Sequence, residues 1–370
     1  MVNKERLVNE FIELVKIDSL TRSERNMADA LLARIQAMGF EAYEDDTGHK
    51  IGGNAGNVIC NIKGDTEISP VLLMAHMDTV SPGVGKKPVI EGDIIKSDGT
   101  TILGGDDLAG VVCILETVRV IKENGFRHGD INIVFTVAEE GGLNGSKALD
   151  YSKINAKYCF VLDGGGEIGH VAVNAPSQYG IDVIIKGRAA HAGMEPEKGI
   201  NAIQTASRAI SSMRLGRIDG ETTANIGIIN GGQATNIVCD RVEIKAECRS
   251  RNQAKLEIQE KHMRECFEKA AAEFGGSVEY NSELMYPSYK IKEDDAIINI
   301  LKKASSKSGV ELVLEAIGGG SDTNIVNSKG IPAVDLSIGM DKVHTLEEQI
   351  RISDMVKAAG FLVEIIKAVD

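Results

Sequence analysis

Ile131-Asn132-Ile133-Val134-Phe135-Thr136-Val137-Ala138-Glu139-Glu140-Gly141-Gly142 is the stretch on which the reading of the fold turns. Ile131–Val137 is a short apolar run that has to be buried, and its length and residue types suit a strand. It ends abruptly on two carboxylates and two glycines. Charges are costly to bury unless they are paired or bound to a metal, so this end is either a solvated loop or a place where chemistry is assembled. The same kind of run recurs at Asn57–Ile62, Val71–Ala75 and Tyr158–Leu162, with a long helical pattern over Asp107–Lys122 and Gly125 beyond its end. Two helices precede them. Leu7, Phe11, Leu14 and Val15 share one face of the first, while Ser23 and Glu24 open the second and Gly39 stops it. Strands alternating with helices predict an α/β domain, a mixed sheet covered by helices on both faces.

The pattern changes near Gln178. Tyr179–Lys186 alternates as a half-buried strand does, a helix is expected over Lys198–Met213, and strands follow at Asn225–Ile229 and Arg241–Arg249. A helix from Asn252 to Phe274 is stopped by Gly275 and Gly276, and Ser277–Tyr280 closes the set. This predicts a smaller α+β module, ferredoxin-like, with one face of its sheet covered. After Pro287 the first style resumes, with a helix over Asp294–Lys307, strands at Glu311–Glu315 and Ala333–Leu336, and a last helix over Leu346–Val369. The expected organisation is therefore one discontinuous catalytic domain, 1–177 and 288–370, interrupted by an inserted module, 178–287.

Composition narrows the function. Of 370 residues, 43% are hydrophobic and 26% charged, the balance of a folded chain with a prior of about two domains. Forty-one basic against fifty-four acidic residues give a net charge of −13, which disfavours nucleic acid and anionic membranes as partners. Aromatics at 4%, with no Trp, offer no stacking platform for single strands. No run approaches the roughly 20 apolar residues of a membrane span, and the start carries no apolar export core. The six cysteines are scattered without a CxxC pair, so free thiols and a cytoplasmic location are expected.

Five short segments place acids and histidines at the ends of these elements: Met74–Asp78, Gly104–Asp107, Ala138–Gly142, Leu162–Gly165 and Val343–Thr345. Ligands of open α/β sheets bind outside the carboxyl ends of the strands. Each segment alone has an ordinary structural reading. His76 and Asp78, two apart on a strand, point to one face and suit either a hydrogen-bonded histidine or a metal ligand oriented by a carboxylate. Asp106 and Asp107 suit a helix cap as well as a ligand. Of Glu139 and Glu140, one can ligate while the other serves a bound water as base. Asp163 repeats the theme, and His344 joins only through the fold. Five such segments together argue for a metal centre. Asp106, Glu140 and Asp163 carry three negative charges against four positive charges on two divalent ions, which leaves room for a hydroxide. Oxygen and imidazole donors suit zinc, cobalt or manganese. Competing motifs fail. Gly164–Gly169 matches GxGxxG, but His170–Asn174 after it is strand-like rather than helical, which removes the nicotinamide dehydrogenase reading. No P-loop, HExxH or GxSxG is present.

At these residues the chain resembles the peptidase T-like branch of the dinuclear zinc peptidase clan, which also holds carboxypeptidase G-type enzymes, aminoacylases and related deacylases. The resemblance covers nearly the whole chain, through Met74–Val80, Leu103–Gly110, Ala138–Ser146, Val161–Gly165, Ala190–Gly193, Gly231–Val238, Gly318–Asn324 and His344–Glu347. It implies two divalent ions, zinc first, with Asp106 bridging, His76 and Asp163 completing one site, and Glu140 and His344 the other. It implies Glu139 as general base, Asp78 as the residue that orients His76, and a cis peptide between Asp106 and Asp107. His191 is implied to stabilise the oxyanion in a partner subunit's site. Asn236 and Arg249 resemble substrate-contacting positions, and Gly319 and Ser321 lie in a loop whose backbone amides hold a substrate carboxylate or carbonyl. Peptidase T proper differs around Arg249. The implied activity is hydrolysis of short peptides, tripeptide aminopeptidase first, by a homodimer formed through the inserted domain. An N-acyl amino-acid deacylase or a carboxypeptidase is the alternative within the clan, and a non-catalytic binding protein of the same fold the alternative outside it.

Overall fold

The computed structural model describes all 370 residues, which divide into two compact units. The first comprises Met1–Val173, Lys290–Ala316 and Ser321–Asp370, the second Asn174–Tyr289 and Ile317–Gly320. Against the expected division into 1–177 with 288–370 and 178–287, residues 174–177, 288–289 and 317–320 group with the second unit.

The first unit is built on a twelve-stranded mixed sheet. Its centre is four parallel neighbours in the order Ile131–Thr136, Val71–His76, Tyr158–Gly165 and Ala333–Asp341. Antiparallel strands flank them, Val58–Ile62 and Ala42–Glu44 on one side and Gln349–Arg351, Ile94–Lys96 and Val89–Glu91 on the other. The unbroken apolar runs follow from burial of both faces. Val71, Leu73 and Ala75 enter one core with Ile133, Phe135, Phe160 and Leu162, packed with helices Lys4–Val15, Gly105–Asn124, Ala296–Ser308 and Ile352–Ala368. The alternate residues Leu72, Met74, Val134, Cys159 and Val161 enter a second core with Val326 of helix Asp322–Ser328. Period-two alternation sends successive side chains to opposite faces, and here both faces are apolar.

Two local expectations are corrected. The second helix runs over Arg25–Ala37 with Glu24 rather than Ser23 before it, and the Glu24 side chain makes no capping bond. The last helix begins at Ile352, not Leu346. Gln349–Arg351 instead pairs antiparallel with Ile94–Lys96, which extends the sheet beyond its parallel centre. A periodic apolar pattern across Leu346, Ile350 and Met355 does not distinguish a helical turn from a short edge strand.

The second unit is an antiparallel sheet in the order Gly216–Arg217, Thr222–Gly231, Arg241–Ser250, Ser177–Lys186, Ser277–Tyr286. Its four long strands take the order 4-1-3-2 of a βαββαβ module. Helices Ala202–Ser211 and Gln253–Phe274 supply Ala202, Ala206, Ala209, Leu256, Met263 and Phe267 to a core with Ile181, Val183, Ile185, Val242 and Ile244. The other face is polar and carries ion pairs such as Lys245–Asp182 at 3.0 Å. No helix of the chain is long and apolar enough to cross a membrane.

Phe160 is fully buried on a central strand of the first unit. Truncating such a side chain removes its transfer free energy and leaves a cavity. Phe160→Ala is expected to lower the unfolding free energy by about 3–5 kcal/mol, read as a lower midpoint in urea denaturation.

Candidate functional site

The four central strands run parallel, so their carboxyl ends lie along one edge of the sheet. His76 is the last residue of Val71–His76, and Ala138-Glu139-Glu140 follows Ile131–Thr136. Asp163 lies near the end of Tyr158–Gly165, and His344 follows Ala333–Asp341. Asp106 comes from a fifth segment, the opening of helix Gly105–Asn124, where Asp106 and Asp107 depart from helical geometry and the peptide between them is cis.

These residues meet. His76 Nε2 lies 2.9 Å from Asp106 Oδ1 and 3.7 Å from Asp163 Oδ1. His344 Nε2 lies 2.6 Å from Glu140 Oε1 and 3.1 Å from Asp106 Oδ2. Asp106 therefore faces one imidazole with each oxygen, the placement a bridging carboxylate needs. Two overlapping groups, His76–Asp106–Glu140 and His76–Asp107–Asp163, hold ligand-type atoms within 4.8 Å of one another. Asp107, weighed with Asp106 as a cap or a ligand, is the member outside the ligand set that the resemblance implies. Its Oδ2 accepts the His76 backbone N–H at 3.1 Å and its Oδ1 accepts that of Gly110 at 3.1 Å, so it ties the strand end to the first helical turn.

The backbone holds His76 differently from expectation. Its Nδ1 lies 2.9 Å from the backbone carbonyl of Asp78, while the Asp78 carboxylate stands off at 3.5 Å. That carboxylate accepts instead from Thr21 Oγ1 at 2.8 Å and from the backbone N–H groups of Glu139 and Glu140 at 2.9 and 3.3 Å. One step earlier, the Ala138 N–H donates to buried Glu24 at 3.0 Å. Ala138 itself has a left-handed φ of 49° and His344 one of 62°, unusual for residues with a side chain. Two further buried acids brace the remaining segments. Asp335 accepts the Asp163 N–H at 3.0 Å, and Glu348 accepts three N–H groups from the turn that carries Asp106. Sequence gave no signal for Glu24 beyond a helix start, or for Asp335 and Glu348 beyond their nearness to site segments.

Electrostatics follow from this crowding. Glu139 is 8% exposed, and burial pushes its carboxyl well above the usual range. Burial does the same to Asp163, reinforced by the charge of Asp106. Burial also works against Asp106, but the bonds from His344 and His76 outweigh it and hold that carboxyl well below normal. The bonds to Asp106 and Glu140 push His344 up to about 10. Protons on the imidazoles thus compensate part of a concentrated negative charge. Cations take the place of such protons when imidazole and carboxylate become ligands. The donors are oxygen and imidazole nitrogen only, which fits the divalent ions expected. All six cysteines are free and buried.

The remaining candidates are distributed. His191 and Asn236 lie close in the second unit, where Ala192 N–H donates to the Asn236 carbonyl at 2.9 Å and His191 bridges Ile237. His191 Nδ1 accepts backbone N–H groups from Gly193 and Met194 at 3.2 and 3.1 Å, which leaves Nε2 as the donor. Arg249 is paired along its own strand with Glu247 at 2.9 Å. Gly319 belongs to the second unit and Ser321 to the first. Ser321 is committed to structure: its N–H donates to Asn324 Oδ1 at 3.1 Å, its hydroxyl donates to Asp335 at 2.8 Å, and it caps helix Asp322–Ser328.

A family model for peptidase family M20/M25/M40 matches residues 72–368. The chain is 48% identical over 367 residues, 99% of each sequence, to an uncharacterized protein, YqjE, of Bacillus subtilis strain 168. It is 28% identical over 345 residues to peptidase T of Fusobacterium nucleatum, covering 90% of this chain and 81% of the relative. Two crystal structures share its fold along the whole length. An aminopeptidase PepT from Bacillus cereus ATCC 10987 has a TM-score of 0.89 at 46% identity, covering 99% of both chains. A tripeptidase from Staphylococcus aureus has a TM-score of 0.94 at 41% identity, covering 99% of this chain and 98% of that one. The matched span takes in every strand end that carries an acid or a histidine of the cluster, and on that ground the chain belongs to peptidase family M20/M25/M40, a family of hydrolases.

Proposed function

We propose that this protein is a metal-dependent aminopeptidase acting on short peptides, tripeptides first. The observation that carries the reading is Asp106, with one imidazole on each carboxylate oxygen and a buried Glu139 in the same cluster. The likeness to an aminopeptidase PepT and to a tripeptidase, above 40% identity over nearly the whole chain, supports the substrate class.

In this reading His76, Asp106, Asp163, Glu140 and His344 would hold two divalent ions, zinc first and cobalt or manganese next, with Asp106 shared. When bound, such ions supply Lewis-acid polarisation of the scissile carbonyl and a water acidified to near neutrality. The chain's own residues do the rest. Asp78 fixes the direction of the His76 ring through its carbonyl and the Glu139–Glu140 turn through its carboxylate. Glu139 takes the proton of the attacking water and passes it to the leaving amine. Its buried position favours the protonated form between the two transfers. In a homodimer formed through the inserted unit, His191 offers Nε2–H to the developing oxyanion in the partner subunit's site. Asn236, Arg249 and the backbone of Gly319 contact substrate. Ser321 contributes by capping the helix behind that turn, since its own amide and hydroxyl are already engaged.

Glu139→Gln keeps the shape and removes the proton acceptor. It is expected to bind two metal equivalents by elemental analysis while kcat for a tripeptide falls by roughly 10²–10⁴-fold. Turnover near that of the native protein rejects the assignment of the base.

Removal of metal by chelation is expected to abolish tripeptide hydrolysis, and added zinc, cobalt or manganese to restore it. In a parallel assay, tripeptides are expected to exceed dipeptides and N-acetyl amino acids in kcat/KM. Preference for N-acetyl substrates moves the protein to the deacylases, and a metal-free protein without activity moves it to the binding proteins.

A further inference from the structure

We propose that Glu348 is a positioning residue that sets the aim of Asp106 and, by doing so, the affinity of the metal centre. The inference rests on the dinuclear reading above and extends it to a residue outside the ligand set. Glu348 is 1% exposed. Its Oε2 accepts the N–H groups of Leu103 and Gly104 at 2.7 and 2.9 Å, and its Oε1 accepts that of Asp106 at 3.1 Å. Three donors from one turn converge on one carboxylate. A carboxylate that receives several backbone N–H bonds is fixed in one orientation, and these bonds partly offset the burial that raises the Glu348 carboxyl. Here the relation works in the other direction as well, because the turn is held by the carboxylate.

The turn needs such a hold. Gly104 is left-handed at φ 80°, and Asp106 and Asp107 are not helical, so no regular ladder satisfies these N–H groups. Buried donors without partners cost about 1–3 kcal/mol each. The room for the carboxylate is also built in. A Cβ on Gly105 would lie 3.1 Å from Glu348 Oε1, tighter than an ordinary contact. Glu348 is itself anchored at the backbone, its N–H to the Thr345 carbonyl at 3.2 Å and its carbonyl to the Ser97 N–H at 3.0 Å.

The consequence concerns geometry. His344 and Glu348 belong to one loop, and that loop touches the Asp106 segment twice, through His344 Nε2 to Asp106 Oδ2 and through the Glu348 carboxylate to the turn. Glu348 therefore joins the carriers of two ligands and fixes their separation independently of any ion. Its neighbour Glu347 does none of this. It is exposed and pairs with Lys342 at 2.9 Å.

The test is zinc affinity of the metal-stripped full-length chain, by competition with a chromogenic chelator, for the native protein, Glu348→Gln and the control Glu347→Gln. Glu348→Gln replaces one accepting oxygen by an NH₂ that faces N–H groups. It is expected to weaken zinc binding by about 10–100-fold, the usual range for a group that orients a ligand, with an unchanged far-ultraviolet circular dichroism spectrum. Glu347→Gln is expected to match the native protein. Native affinity in a folded Glu348→Gln overturns the proposal. If Glu348→Gln does not fold, Glu348→Asp and Gly105→Ala are read in its place, and native affinity in both overturns it equally. A native protein that binds no zinc refutes the dinuclear reading itself, a result distinct from either.

Discussion

The structure depends on how concentrated negative charge is kept at the carboxyl ends of four parallel strands. Asp106, Asp107, Glu139, Glu140 and Asp163 converge at the end of a sheet buried on both faces, where burial works against ionised carboxylates such as Glu139 and Asp163. Two kinds of compensation answer that penalty. Imidazoles of His76 and His344 face the ligand carboxylates. Backbone N–H groups are spent on Asp107 and on the bracing acids Glu24, Asp78, Asp335 and Glu348. What these leave unmet is greatest at Glu139 and Asp163, whose carboxyls burial holds above the usual range, and there cations would complete the balance. The same arrangement that would destabilise an empty core is the one that makes a metal centre of high charge density.

Much of this was legible in the sequence, for a physical reason. A strand buried on both faces must be continuously apolar, so the point where it meets a charge is conspicuous. Val71–His76, Ile131–Thr136 and Tyr158–Gly165 end in that way, and each delivers a residue of the cluster. His344 is the harder case, since Ala333–Asp341 ends on the exposed Asp341 and His344 comes three residues further on, in an irregular loop. Its segment is visible in the sequence, but its place as a ligand comes from the family's motif, not from periodicity. The antiparallel module was legible through alternation, because its sheet is covered on one face and charged on the other.

What stayed hidden were the acids that hold backbone rather than ligand. Glu347 and Glu348 are adjacent, of one type, and in one loop. One pairs with Lys342 in solvent, the other is buried under a turn more than two hundred residues earlier in the chain. Nothing local separates them, because the difference lies in where three N–H groups of Leu103, Gly104 and Asp106 are aimed. Asp78 makes the point again. Its spacing from His76 predicts a carboxylate behind the imidazole, yet the backbone carbonyl takes that place and the carboxylate turns to Glu139 and Glu140. Spacing two apart on a strand fixes a shared face, but beyond the strand's last residue the face is no longer defined, and His76 is that last residue.

This division between acids that bind and acids that brace explains why the site segments are so irregular. Left-handed Ala138, the non-helical start at Asp106 and the turn at Gly104 all leave N–H groups without a ladder partner. In a helix or a sheet those donors would satisfy the backbone itself. Here they are released to be caught by side chains, and a side chain with two oxygens can gather donors from successive residues as no single carbonyl ladder does. Irregular backbone at the strand ends is therefore the means by which carboxylates distant in sequence acquire a fixed mutual geometry, and a regular continuation of any of these strands or helices would remove both the brace and the ligand it positions.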